Sequence, residues 1–218
     1  YDFFANYNTK LENSLSIGGL LGTSYRRNGS SQSYTSTEGG LIVPGLYAIR
    51  NSAGSTLPTS ETLTTSSLSS AYGQLTLGYK DTYFLEGTGR VDQSSNLPSS
   101  NNTYFYPSVS GSIVLSNLLK QDWLSYTKLR GNWAQVGKAT GNYGINDTYS
   151  IVGLYGNTPI VNPRTFKNNP DLKPEISTEV ELGIEAKFLN NRLGFDISAY
   201  KTNSKDQIMR VDVSRDAV

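Results

Sequence analysis

Glu179, Glu181 and Glu185 are the residues whose types and spacing come nearest to chemistry in this 218-residue sequence. On a strand, Glu179 and Glu181 stand about 7 Å apart by strand rise, within the range at which an inverting glycosidase holds its acid and its base. Such a pair also needs one carboxyl kept protonated near neutrality, and no neighbour identifies which acid that would be. Three acids alternating with apolar residues and joined by Lys187, beside a segment carrying Asp196, read better as one wetted face than as a catalytic dyad. The sequence has no histidine and no cysteine, so it contains no Ser-His-Asp triad, no thiolate site and none of the common zinc ligand sets. The run "GGLLG" at Gly18 to Gly22 lacks the lysine and the following helix signal of a phosphate loop. Its small residues suit a strand that must bend. No cofactor or metal site is read, and the expectation is a protein that is not an enzyme.

Tyr143, Tyr149 and Tyr155 form a second group with chemical potential, alongside Asn142, Asn146, Asp147 and Asn157. Flat aromatic faces next to hydrogen-bonding groups suit sugars or peptides. Aromatic residues in a long loop also pack the loop itself, and both readings stand at this level.

The elements that would position these groups have a period of two. In Tyr72 to Lys80, Gly73, Leu75, Leu77 and Tyr79 share one face, and Gln74, Thr76 and Lys80 the other. From Thr82 to Asp92 the apolar set is Tyr83, Leu85, Gly87, Gly89 and Val91, against Glu86, Thr88, Arg90 and Asp92. Tyr106 to Ser116 sets Val109, Gly111, Ile113 and Leu115 against serines. Ser125 to Val136 sets Leu129, Gly131 and Trp133 against Lys128, Arg130 and Asn132. In the stretch from Glu179 to Tyr200, Val180, Leu182, Ile184 and Phe188 alternate with the acids and Lys187. After a turn at Asn190 and Asn191, Leu193, Phe195, Ile197 and Ala199 oppose Asp196, Ser198 and Tyr200. Asp2 to Thr9 and Ser14 to Tyr25 bring the expected total to about eight strands.

The links between these strands alternate short and long: Lys10 to Asn13, Arg27 to Ser69, Lys80 and Asp81, Gln93 to Thr103, Asn117 to Leu124, Gly137 to Ile176, and Leu189 to Asn191. In an up-and-down antiparallel sheet this order puts every short turn at one end and every long loop at the other, as in an outer-membrane barrel. The two longest links exceed the usual length of structureless connections, which points to function in them. Pro44, Pro58, Pro98, Pro159, Pro163, Pro170 and Pro174 fall in expected loops, and Pro107 at an expected strand start. Tyr7, Tyr25, Tyr72, Tyr79, Tyr83, Tyr104, Tyr106, Tyr126 and Tyr200 lie near strand ends, where an aromatic girdle would sit. A soluble β-sandwich or carbohydrate-binding β-domain also alternates, but several of these segments exceed the five or six residues usual for soluble strands.

Composition narrows the partners. The 19 basic and 18 acidic residues leave a formal charge of +1, and no basic run provides an electrostatic footprint for nucleic acid. No run of about 18 apolar residues exists, which excludes a transmembrane helix but not transmembrane strands of about ten residues. The absence of cysteine is compatible with either a cytosolic or an envelope location.

Several motifs, in order, resemble one family. "NPDLKPE" at Asn169 to Glu175, the hairpin "STEVELGIEAKFLNNRLGFDISAY" and "KTNSKDQI" look like the late barrel of TonB-dependent outer-membrane transporters. "LEGTGRVDQSSNLPSSNNTYFYPSVSGSIVLS" from Leu85 and "KLRGNWAQVG" from Lys128 look more narrowly like the SusC/RagA branch of Bacteroidetes-type bacteria. The resemblance implies an all-β, antiparallel up-and-down transmembrane barrel of roughly 22 strands, of which residues 1–218 supply about eight as part of a single barrel domain. No plug-like domain, TonB-contacting segment or closing aromatic after "VSRDAV" is read, so the expectation is an internal barrel segment. The resemblance also labels the two faces. It implies that Glu86, Arg90, Asp92, Lys128, Arg130, Glu179, Glu181 and Glu185 face the lumen, lining a path or anchoring the plug, while Val180, Leu182, Ile184 and Phe188 meet outer-membrane lipid. It further implies active import of an oligosaccharide or peptide, a SusD-like surface lipoprotein as partner, and coupling to TonB through a plug. A passive or structural outer-membrane barrel is the alternative within the membrane class.

Overall fold

Alternating residues with no stretch apolar on both faces can form a single sheet layer, and the fold is built that way. A computed structural model describes residues 1–11, 14–54, 59–162 and 166–209. The expected short link at Lys10 to Asn13 is therefore described only in part, and Pro58, Pro163 and residues 210–218 lie outside the described residues. The strands are β1 (Asp2–Lys10), β2 (Leu15–Thr35), β3 (Thr59–Tyr79), β4 (Tyr83–Ser94), β5 (Thr103–Val114), β6 (Leu124–Lys138), β7 (Ser150–Tyr155), β8 (Thr158–Asn162), β9 (Glu175–Phe188) and β10 (Leu193–Lys205). Eight of them form one antiparallel up-and-down sheet in the order β1-β2-β3-β4-β5-β6-β9-β10. The sheet is open, with β1 and β10 as its edges. Among the described residues no helix is long and apolar enough to cross a membrane. Strands β4, β5, β6, β9 and β10 have 12 to 15 residues, enough for a tilted strand to cross a hydrocarbon layer.

The β-sandwich alternative fails on burial. A sandwich needs two inner faces packed on each other, yet the buried hydrophobic residues are only Leu97, Val114 and Ala186 among those described. Phe3, Tyr7, Leu21, Leu75, Leu85, Phe105, Val109, Val180, Leu182 and Ile197 are all exposed. They share one parity through the strand registers, for example Leu75↔Gly87, Leu85↔Gly111, Leu129↔Ile184 and Leu182↔Ala199. The result is a continuous apolar face with no second layer on it, larger than a soluble monomer tolerates.

The expected alternation of links holds at β1–β2, β2–β3, β3–β4, β6–β9 and β9–β10 but not in between, where the β4–β5 link, residues 95–102, is no longer than the β5–β6 link, residues 115–123. Along the short-turn rim, the Lys80 N–H donates to the Ser14 carbonyl at 2.8 Å and the Leu189 N–H to the Trp123 carbonyl at 3.1 Å. Lys10 Nζ lies 3.5 Å from Asp81 Oδ1, and Asn117 Nδ2 donates to the Asp81 carbonyl at 2.9 Å. Each turn thus holds its neighbour. Leu189, Asn190 and Asn191 all take the left-handed conformation, with φ of 51°, 55° and 64°, a geometry that asparagine tolerates better than most residues.

The structure corrects four further expectations. The link Arg27 to Ser69 is not all loop, because β2 continues to Thr35 and β3 starts at Thr59. The link Gly137 to Ile176 contains the β7–β8 hairpin, so Pro159 lies in a strand. The Asn117 to Leu124 link opens on a short helix, α1 (Ser116–Leu119). Pro107 sits inside β5, one residue beyond the described β5–β6 pairing at Ser108↔Ala134.

The chain divides into two units, Tyr1–Arg26 with Leu68–Val218, and Arg27–Ser67. The first contains the sheet positions used below. In the second, the segment after β2 is organised around Asn51, which is buried. Its amide donates to the carbonyls of Val43 and Leu46, both at 2.8 Å, and accepts from the Val43 N–H at 3.0 Å.

Candidate functional site

The face opposite the apolar belt carries most strand charges; Lys201 and Lys205, opposite Val180 and Ile176 at the loop end of β10, are exceptions. Registers Thr76↔Glu86, Glu86↔Ser110, Ser110↔Asn132, Asn132↔Glu181 and Glu181↔Tyr200 place one polar row across β3, β4, β5, β6, β9 and β10. Lys128↔Glu185 and Glu185↔Asp196 form part of a second row. All eight expected wall residues, Glu86, Arg90, Asp92, Lys128, Arg130, Glu179, Glu181 and Glu185, therefore occupy this one face. Side chains here shade one another: Glu86, Arg90, Lys128, Arg130, Glu179, Glu181 and Glu185 are half-buried, whereas Val180 and Leu182 on the other face are exposed. Such asymmetry in a single layer fits a sheet that coils toward its polar side.

Near the short turns the polar face is a field of charges. Arg130 forks onto Asp196, with Nη2–Oδ1 at 2.7 Å and Nη1–Oδ2 at 3.1 Å. Its Nε also lies 3.9 Å from Glu181, which accepts from Asn132 at 3.0 Å. Lys187 pairs with Glu185 at 3.0 Å and lies over the Tyr126 ring. Glu86 accepts from Gln74 at 2.7 Å and Thr76 at 3.3 Å; Glu179, nearer the loop end of β9, accepts from Thr202 at 2.9 Å.

Toward the long loops the same face changes character. Asp92, only 4% exposed, accepts from Arg90 Nε at 2.8 Å and from the Tyr106 hydroxyl. Arg90 Nη2 donates to Ser70 Oγ at 2.8 Å, and its guanidinium lies 5.7 Å from the centre of the Tyr72 ring. Tyr104 and Tyr106 have ring centres 5.8 Å apart. Glycines make room for two of these rings. A Cβ at Gly22 would come within 2.5 Å of the Tyr72 ring, and one at Gly137 within 2.5 Å of the Tyr104 ring. This patch runs from Gly22 on β2 to Gly137 on β6.

That arrangement redistributes the expected aromatic girdle. Tyr79 and Tyr83, stacked at 6.5 Å near a short turn, lie on the apolar parity, as do Tyr7 and Tyr25. Trp123, Phe188 and Phe195 stack in series at 5.8 Å near the same rim. Tyr72, Tyr104, Tyr106, Tyr126 and Tyr200 instead share the polar parity. Strand-end position drew attention to them, but their parity with Gln74, Ser108, Lys128 and Ser198 was the signal that separates them from a girdle.

The loop candidates are exposed and dispersed. Tyr143, Tyr149 and Tyr155 are 56%, 66% and 82% exposed, with Tyr149 just before β7 and Tyr155 at its end. Asp147 accepts from the Asn168 N–H at 2.8 Å, and the Asn146 carbonyl accepts from Asn168 Nδ2 at 2.6 Å. Those two residues therefore serve the loop's own fold.

Comparisons with known proteins agree with this geometry. Residues 1–218 match the family model described as TonB dependent receptor-like, beta-barrel. Two similar proteins of Formosa agariphila are TonB-dependent receptor P26, 26% identical over 94% of this chain and 22% of its own length, and TonB-dependent receptor P3, 29% identical over 80% and 17%. The chain thus spans about a fifth of the curated relatives it matches. Among solved structures, one titled as the RagAB peptide transporter aligns with a TM-score of 0.86 at 21% identity, covering 99% of this chain and 24% of that one. The siderophore receptor PirA from Acinetobacter baumannii aligns with a TM-score of 0.56 at 20% identity, over 94% and 27%. At these identities the structural likeness concerns the fold.

Proposed function

Because the chain belongs to the TonB-dependent receptor-like β-barrel family, we propose that residues 1–218 form one stretch of wall in an outer-membrane active importer of the SusC/RagA type. The observation that carries this reading is the one-layer sheet with an exposed apolar belt on one face and a hydrogen-bonded polar network on the other. In a membrane barrel the belt meets lipid and the network lines the lumen. The whole chain is one barrel-domain segment, and the unpaired edges of β1 and β10 continue into further strands of a roughly 22-stranded barrel. Glu86, Lys128, Arg130, Glu181 and Glu185 line the turn-end half of that wall, facing either a path or the plug. The short-turn rim is periplasmic, and the long loops, with Tyr143, Tyr149 and Tyr155, are extracellular.

The cargo is an oligosaccharide or a peptide received beneath a SusD-like surface lipoprotein, and release is driven by TonB acting on a plug elsewhere in the parent protein. The peptide title of the RagAB structure and the receptor names of the relatives support a transporter over an enzyme. The host is a Gram-negative bacterium of the Bacteroidetes type, in keeping with the Formosa relatives. The test is uptake by cells expressing the parent protein, with and without TonB. Active import requires that uptake stop when TonB is lost and that the barrel copurify with a lipoprotein. Uptake that continues unchanged without TonB makes it a passive barrel.

A further inference from the structure

We infer that Tyr72, Tyr104 and Tyr106, braced by Ser70 and the Arg90–Asp92 pair, form a binding surface for successive uncharged rings of one oligosaccharide on the loop-end half of the polar face. The inference rests on the reading of that face as the lumen wall. Three half-buried tyrosines on β3 and β5 form a row across the wall, Tyr72 and Tyr106 flanking the Arg90–Asp92 pair and Tyr104 beside Tyr106. The rings of Tyr72 and Tyr104 occupy space that a side chain at Gly22 or Gly137 would fill. Aromatic surface held in this way at a wall offers a flat apolar partner to the C–H face of a pyranose, with little side-chain freedom left to lose.

The charge pattern selects the ligand class. Arg90 gives its Nε to Asp92 and its Nη2 to Ser70, and Asp92, nearly inaccessible, already offsets its charge. A carboxylate, phosphate or ammonium on a ligand would meet charges already offset, Arg90 by Asp92 and, at the β6 margin, Lys138 by its register partner Glu175. Around the Arg90–Asp92 pair stand hydroxyl groups: Ser70, the tyrosines, and the Thr88–Ser108 pair at 2.6 Å. Hydroxyls donate and accept, which matches a polyhydroxylated neutral ring better than a charged peptide. The turn-end half, with Lys128, Arg130, Glu181, Glu185, Lys187 and Asp196, has the opposite character and suits a charged protein surface.

The test uses the full-length parent protein in its native outer membrane. Strains with and without it are grown on neutral polysaccharides, on uronic-acid or sulfated polysaccharides, and on peptide digests as sole carbon source. The gene is expected to be required on a neutral polysaccharide. Tyr72→Ala combined with Tyr104→Ala is expected to slow uptake of a fluorescent oligosaccharide cut from it about tenfold per assembled barrel at limiting concentration, beyond whatever barrel is lost with the packing of the two rings. Tyr104→Phe, which keeps the ring, should retain the uptake that Tyr104→Ala loses. A requirement confined to peptides or anionic polysaccharides overturns the binding surface and leaves import standing. No requirement on any source, or one that persists without TonB, removes import and the binding surface with it. Uptake that falls only in step with barrel amount makes the cluster a structural brace and overturns the binding surface.

Discussion

Arg130 on β6 crosses the intervening strand β9 to reach Asp196 on β10, and it does so over Gly183. A Cβ at Gly183 would lie 2.7 Å from Arg130 Nε and 2.8 Å from Cζ. The bidentate contact to Asp196 therefore depends on a glycine that touches neither carboxylate. Gly183→Ala should displace the guanidinium, so that Asp196→Asn, which lowers the unfolding midpoint of the barrel in the parent protein, has no further effect in the Gly183→Ala background. The pair is partly exposed, so its contribution should fade at 1 M salt, where the screening length is about 3 Å. Denaturant unfolding of the four variants at low and high salt measures both effects.

The two faces should differ in their tolerance of charge. Leu182, 67% exposed and opposite Gly131 and Ala199, stands mid-strand in the apolar belt. Leu182→Lys should cost about 2–4 kcal/mol for a lysine near the bilayer midplane and reduce assembled barrel. Ser110→Lys, on the polar face between Glu86 and Asn132, should assemble like the parent protein. Unfolding in lipid vesicles gives the comparison, and equal losses at both positions would contradict the face assignment.

Period two made the sheet legible in advance wherever one face is apolar. The expected strands coincide with β4, β5, β6, β9 and β10 to within a few residues at their ends, and that at Tyr72 to Lys80 with the last part of β3. The pattern vanishes where neither face is apolar. "NGSSQSYT" at the end of β2 and "TSETLTTSS" at the start of β3 are hydrophilic on both sides, so their strand character comes from pairing with each other and not from a buried stripe. The β7–β8 hairpin, with "IVGLYGNTPIVN", was hidden for another reason: its strands have only 6 and 5 residues, too few for the period to stand out. That Glu86, Arg90, Asp92, Lys128, Arg130, Glu179, Glu181 and Glu185 share one face was legible because they alternate with apolar residues. The face taken by Tyr72, Tyr104 and Tyr106 was not, because tyrosine fits a lipid girdle and a polar wall equally well, and the Arg90–Asp92–Tyr106 contact joins residues of two strands.

Gly22 and Tyr72 give a prediction about that wall. A methyl group at Gly22 would meet ring atoms at 2.5 to 2.6 Å, so Gly22→Ala must push the ring off its seat. The expected cost is about 1–3 kcal/mol, as for other overpacked sites. Tyr72→Ser in the same chain should restore most of it by vacating the space. If Gly22→Ala is neutral on its own, the ring has another place to go and the fit between these strands is looser than the distances imply.

Asn51 permits a prediction confined to the unit Arg27–Ser67. Its side chain makes three hydrogen bonds that shape the backbone at Val43 and Leu46, while Ile42, Val43, Leu46 and Tyr47 around it are exposed. Apolar burial contributes little there, so the segment is fastened by hydrogen bonds, those of the Asn51 amide and those of Ser52 to Glu38 among them. Asn51→Ala leaves those backbone groups without their partner, at about 1–3 kcal/mol for a buried donor or acceptor left unsatisfied. Local opening, and with it cleavage by chymotrypsin after Tyr47, should speed up about tenfold or more. The barrel's own unfolding midpoint should not move, because none of the three bonds involves the strands of the sheet. A shift of that midpoint in step with cleavage would mean that the segment and the sheet open together.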